Sequence, residues 1–93
     1  MYRVLFRDRA ERDLKKLDPK VKDKIIAWVD RFLVNTENPR AYGKALQGKY
    51  SGLWCYRVSN YRIVADIIDK EVLISVVKVG NRKDIYKILD NRL

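Results

Sequence analysis

Three features of the 93-residue sequence predict an α+β fold of element order β-α-α-β-β-β. Apolar and polar residues alternate over a short opening stretch, then apolar residues recur at helical spacing through residues 8–34, and from Leu53 the period returns to two. Such an order implies a curved antiparallel sheet, an N-terminal αα-hairpin packed on one of its faces, and a short C-terminal helix.

Tyr2, Val4 and Phe6 alternate with Arg3 and Leu5, which suits an opening strand. Asp8 and Glu11 have capping-box spacing and predict a helix to about Leu17, with Ala10, Leu14 and Leu17 inward. Asp18-Pro19 restarts the chain, because Asp caps and Pro suits a first helical position whose N–H would have no partner. The second helix runs to about Val34, with Val21, Ile25, Trp28, Val29, Phe32 and Leu33 on one face. Residues 35–52 read as a long loop anchored by Leu46, and loops of that length tend to be functional. Beyond it, Trp54, Tyr56 and Val58 share the core face of one strand, and Cys55 and Arg57 its reverse. Ser59-Asn60 turns the chain into a strand with Tyr61, Ile63, Ala65 and Ile67 on one face and Arg62, Val64, Asp66 and Ile68 on the other. The nearly continuous apolar run Val72 to Val79 suits a central strand, and Asp84 to Leu89 suits a short helix with Ile85, Ile88 and Leu89 inward. The whole of residues 1–93 is expected to be one domain.

Composition narrows the function. A single cysteine and no histidine exclude a disulfide within the chain and the usual zinc sites, and no cofactor motif is visible. No stretch is apolar enough to span a bilayer and no signal peptide opens the chain, which is the pattern of a cytoplasmic protein. The net charge of +9 favours polyanionic partners. Its distribution is uneven: no acidic residue falls between Glu37 and Asp66, whereas Arg40, Lys44, Lys49, Arg57 and Arg62 do. The cationic part is therefore the loop and the sheet.

Arg57 and Arg62 should face each other beside the Ser59-Asn60 turn, with Arg82 and Tyr86 following the next strand. A purely structural reading pairs Arg62 with Asp66 on its own strand. The functional reading has Arg57, Arg62 and Arg82 converge on phosphate, whose oxygens match the planar guanidinium fork. Tyr86 either packs at the rim of the core or stacks on an unstacked base. Arg40, Lys44, Lys49 and Lys83 are candidate RNA-binding cations. Cys55 has no base to make it a thiolate and reads as small filler.

The motifs Gly52-Leu53-Trp54-x-Tyr56-Arg57-Val58, Asn60-Tyr61-Arg62-Ile63-Val64 and Val79-Gly80-x-Arg82-x-x-x-Tyr86 resemble the RelE/ParE toxin superfamily of bacterial toxin–antitoxin systems, particularly its RelE branch. The resemblance covers the whole chain. It implies the RelE-like fold, an antitoxin partner, and ribosome-dependent cleavage of mRNA in the A site. In that reaction the 2′-hydroxyl attacks its adjacent phosphate to leave a 2′,3′-cyclic phosphate. The roles it implies are charge stabilisation by Arg62, neutralisation or leaving-group protonation by Arg82, base stacking by Tyr86, and a basic strand position at Arg57. Two positions depart from the family pattern. Cys55 stands where a basic residue is common and Asn81 where histidine is frequent, which would reduce activity and leaves Lys44 and Lys49 as the lysines from which a base would be drawn. Two other functions stay open: a ParE-like inhibitor of DNA gyrase, and a catalytically weak module that binds RNA or the ribosome.

Overall fold

In the computed structural model, residues 1–86 are described. The elements are β1 (Arg3–Phe6), α1 (Asp8–Lys15), α2 (Pro19–Phe32), β2 (Lys44–Ala45), β3 (Trp54–Val58), β4 (Tyr61–Ile68) and β5 (Leu73–Asn81), with single 3₁₀ turns at Gly48–Tyr50 and Asp69–Glu71. The five strands form one sheet in the order β1-β5-β4-β3-β2. Strands β2 to β5 are an antiparallel meander, but β1 lies parallel to β5, so the sheet is mixed rather than antiparallel throughout. The reason is topological: the αα-hairpin carries the chain from β1 to the far edge at β2, and the meander then walks back until β5 lies beside β1. The central position of β5, flanked on both sides, explains its near-continuous apolar sequence.

Each helix begins for a local reason. At α2 the Asp18 carboxylate accepts from the Lys20 N–H at 2.8 Å and Pro19 fills the first position. At α1 the expected capping box is not made, because Arg7 is the cap residue and Asp8 already lies inside the helix. Arg7 is held by the ladder: its N–H donates to the Val76 carbonyl at 2.9 Å and its Nε to Ser75 Oγ at 2.7 Å, so the helix starts immediately after it. Helix α2 ends at Phe32, short of Val34, where Leu33 caps it and Asn35 takes a left-handed φ of 63°.

The main core lies between the helices and the sheet and joins Ala10, Leu14, Ile25, Val29 and Leu33 to Tyr56, Val58, Ile63, Ala65, Ile74, Val76 and Val79. Trp54 and Tyr56 belong to it, as their strand spacing predicts, and their polar tips are satisfied by carbonyls of the preceding loop. Trp54 Nε1 donates to Tyr42 O at 2.6 Å and Tyr56 Oη to Pro39 O at 2.7 Å. Gly43 sits against this contact. Its φ is +77° and a Cβ there would meet the Cys55 carbonyl at 2.4 Å, so only glycine lets the loop lie this close to β3. Residues 35–52 are accordingly not a free loop, since Lys44–Ala45 pairs with β3 as a short edge strand.

One buried charge was not foreseen. Lys78, in the middle of β5, is almost wholly buried and its ammonium lies 3.3 Å from the Asp13 carboxylate of α1, which also accepts from the Val79 N–H at 3.0 Å. A bulge between Val64 and Ala65 shifts the β4–β5 register here. The terminal helix proposed for Asp84 to Leu89 lies outside the described residues beyond Tyr86. Among the described residues, no helix is long and apolar enough to cross a membrane.

Removing the Asp13 carboxylate takes an ion-pair partner from a buried ammonium and the acceptor from the Val79 N–H. Asp13→Ala should lower the unfolding free energy by about 3 kcal/mol in urea titrations, whereas Asp13→Asn, which keeps an acceptor for the Val79 N–H, should lose less.

Candidate active site

The β3–β4 hairpin places the first two cations. Ser59, at φ 56°, makes the tight turn with Asn60, and the register that follows sets Arg57 directly opposite Arg62, Cys55 opposite Val64, and Lys44 of the edge strand opposite Cys55. Paired residues of an antiparallel ladder share a face, so Lys44, Cys55, Arg57 and Arg62 all point away from the helices. Arg57 is exposed and Arg62 half-buried. The Arg62 guanidinium donates to the carbonyls of Ser59 and Tyr61 at 3.2 and 3.0 Å, rather than to Asp66. Gly80 of β5 stands opposite Arg62 and presents no side chain to crowd it.

This face is not bare. A second apolar cluster of Cys55, Val64 and Ile85, with Leu46, Tyr50, Leu53 and Val77 against it, covers part of the sheet, and its Cys55, Leu46 and Tyr50 line a cleft of about 590 Å³. Lys44, Arg57 and Arg62 line the cleft with Cys55, and the tyrosines Tyr50 and Tyr86 supply its aromatic wall. Tyr86 is 47% exposed, and its ring centroid lies 5.7 Å from that of Tyr50. Burial pushes the Cys55 thiol up, against a weaker opposing pull from the charges of Arg62 and Arg57, so it stays protonated at neutral pH. Three cations and an aromatic wall around a concave surface can hold a phosphodiester and one base.

Other residues singled out from the sequence lie around this cleft. The Arg82 N–H donates to the Asn60 carbonyl at 2.8 Å, which fixes its backbone at the turn end of the hairpin, but Arg82 is exposed and does not line the cleft. Lys83 follows in an Asn81-centred turn, its N–H on Asn81 Oδ1 at 2.8 Å. The Lys49 ammonium stands 5.5 Å over the Tyr50 ring. Arg40 is the furthest from the expectation: its two terminal nitrogens both bond the Asp69 carboxylate at 3.1 Å, and Tyr2 Oη donates to the same group at 2.7 Å. Hydrogen bonds from Arg40, and then from Tyr2, hold the Asp69 carboxyl below the usual carboxylate range. The tie therefore contributes above the ordinary carboxylate pKa and is lost as pH falls through the lowered one. Arg40 thus fastens the loop to the β4–β5 turn. Tyr50 was missed because it lies in a stretch read as loop, although an aromatic between Gly48 and Gly52 just before a strand was its signal. Among the described residues, no group of three or more acidic, cysteine or histidine side chains is placed to hold a metal ion.

Comparison with known proteins places this geometry in context. Residues 4–86 match the family model of the ParE toxin of type II toxin–antitoxin systems, parDE. The chain is 30% identical over 86 residues to toxin RelG of Mycobacterium tuberculosis, covering 92% of this chain and 97% of that one. It is 30% identical over 86 residues to the mRNA interferase toxin RelE of Escherichia coli K12, covering 88% and 84%. The RelBE2 toxin–antitoxin complex of Mycobacterium tuberculosis superposes with a TM-score of 0.74 at 26% identity, over 86% of this chain and 96% of the matched one.

The buried, protonated Cys55 should be slow to alkylate. With iodoacetamide at pH 7.5, the folded protein should react at least about tenfold more slowly than the urea-unfolded chain, and a thiolate-like fast reaction would contradict the assigned environment.

Proposed function

Because the chain belongs to the ParE toxin family of type II toxin–antitoxin systems, within the RelE/ParE superfamily, we propose that it is a RelE-type toxin that cuts mRNA on the ribosome. The observation that carries this reading is the register pair of Arg57 and Arg62 over a cleft walled by Tyr86. Two arginines opposite each other on a strand pair repel until an anion joins them, and a phosphodiester has oxygens that match the guanidinium fork.

The chemistry proposed is the one that the resemblance to RelE-type toxins implies. The 2′-hydroxyl of the message attacks the adjacent phosphate, the 5′-oxygen of the next nucleotide leaves, and a 2′,3′-cyclic phosphate remains. Arg62 and Arg57 stabilise the charge that grows on the phosphorane oxygens, which is the largest contribution expected of fixed donors in such a site. Tyr86 stacks on a base and so orients the attacking hydroxyl in line with the leaving oxygen. Arg82, at the turn end of the hairpin, neutralises or protonates the departing oxygen once the RNA draws its side chain inward. With no histidine in the chain, orientation and electrostatics supply most of the rate, and Lys44 is the lysine on the cleft wall from which proton transfer would be drawn. Asn81, at the position where histidine is frequent, packs beside Tyr61 on the other face and contributes no acid or base. Lys49 and Lys83 extend the positive field around the cleft rather than touch the reacting phosphate, while the charge of Arg40 is matched by Asp69.

The RelBE2 structure is a toxin–antitoxin complex, and this chain is proposed to have an antitoxin of its own. The net charge of +9 calls for a partner with an acidic segment. The family model's ParE description favours a second reading, inhibition of DNA gyrase without RNA cleavage.

Primer extension on translated mRNA, with and without ribosomes, separates the two. Wild-type protein should cut only when ribosomes are present, and Arg62→Ala should lower the cutting rate by about 10²–10³-fold. Cutting by Arg62→Ala at the wild-type rate would remove Arg62 from the site, and intact mRNA with blocked supercoiling would select gyrase.

A further inference from the structure

The geometry points to Tyr50 as a positioning residue that fixes Tyr86 for base stacking; the inference rests on the RNA-cutting reading above. Tyr50 touches Tyr86 in two ways. Its ring lies 5.7 Å from the Tyr86 ring, tilted by 33°, and its hydroxyl donates to the Tyr86 backbone carbonyl at 3.2 Å. One contact sets the ring and the other sets the main chain that carries it, so together they fix both the place and the plane of Tyr86.

Tyr50 can do this because its own backbone is firmly held. The 3₁₀ turn Gly48–Tyr50 is closed by Ser51 N–H on Gly48 O at 3.1 Å and entered by Tyr50 N–H on Gln47 O at 3.3 Å. Leu53 N–H bonds Tyr50 O at 3.1 Å, and Leu46 N–H bonds Leu53 O at 2.9 Å, which ties both ends of the turn together. Left-handed Gly48 and Gly52, at φ 63° and 99°, bracket it. Beneath the turn, Leu46 and Tyr50 pack on the same small core that buries Ile85, the residue before Tyr86. The turn and the segment carrying Tyr86 are therefore clamped on one floor.

A consequence follows for RNA. With the two ring centroids 5.7 Å apart, no base fits between Tyr50 and Tyr86, so a base would stack on the side of Tyr86 turned away from Tyr50. Tyr86 without Tyr50 keeps its ring but not its plane.

A short single-stranded RNA carrying 2-aminopurine tests this, with fluorescence quenching reporting stacking and anisotropy reporting binding. Wild type should quench strongly. Tyr50→Phe, which keeps the ring contact, should quench within about twofold of wild type, and Tyr50→Leu should lose most of the quenching, with a loss of RNA affinity no larger than that of Tyr86→Ala and a single cooperative unfolding transition retained. Because Tyr50 acts through Tyr86, Tyr50→Leu combined with Tyr86→Ala should quench no less than Tyr86→Ala alone. Full quenching by Tyr50→Leu, or additive losses in the double variant, overturns the positioning role alone. Wild-type protein that neither binds nor quenches the RNA overturns the RNA reading and the role with it.

Discussion

The site depends on two like charges placed directly across a strand pair. Arg57 opposite Arg62 is an arrangement that sheet energetics disfavours, since cations in adjacent register positions repel, and among the described residues neither forms an ion pair with a carboxylate. The hairpin accommodates it in two ways. Arg62 folds back so that the carbonyls of Ser59 and Tyr61 take its protons, and Gly80 leaves empty the place on β5 that would otherwise press on it. The remaining electrostatic cost is of the kind found where a protein keeps a site ready for an anion.

Everything around the pair serves to keep the hairpin in register. The main core locks the opposite face of β3 and β4 through Tyr56, Val58, Ile63 and Ala65, and a slip of one residue would turn those side chains outward and the arginines in. The loop before β3 is pinned by the Trp54 and Tyr56 hydrogen bonds, by the close approach at Gly43, and by the Arg40 bond to Asp69. That anchoring delivers Lys44 to the edge of the cleft. The smaller core of Leu46, Tyr50 and Ile85 then brings Tyr86 to the same cleft as the arginines.

Much of this was legible in the sequence because it rests on periodicity and local chemistry. Strand alternation alone put Arg57, Cys55 and Arg62 on one face and Trp54 and Tyr56 on the other, and Asp18-Pro19 marked the start of α2 through its capping chemistry. What was not legible depends on contacts between residues far apart in the chain. The parallel pairing of β1 with β5 follows from where the meander ends, which no local pattern states. Arg40 read as an RNA-binding cation because Asp69, 29 residues away, is invisible to local reasoning. The role of Tyr50 depends on the fold bringing it to Tyr86, 36 residues on. Lys78 is a different case. A lysine inside an otherwise apolar strand was a signal in plain view, and one partner that gives it meaning is the carboxylate of Asp13 on α1.

The central claim is that Arg57 and Arg62 together hold one stretch of RNA backbone, and the salt dependence of binding tests it without reference to catalysis. For a short single-stranded RNA, the slope of log affinity against log salt should be shallower by about 1.4 in the Arg57→Gln, Arg62→Gln double variant than in the wild type, two phosphate contacts at about 0.7 each. An unchanged slope in a folded double variant would mean that these arginines do not meet phosphate, and would contradict the account.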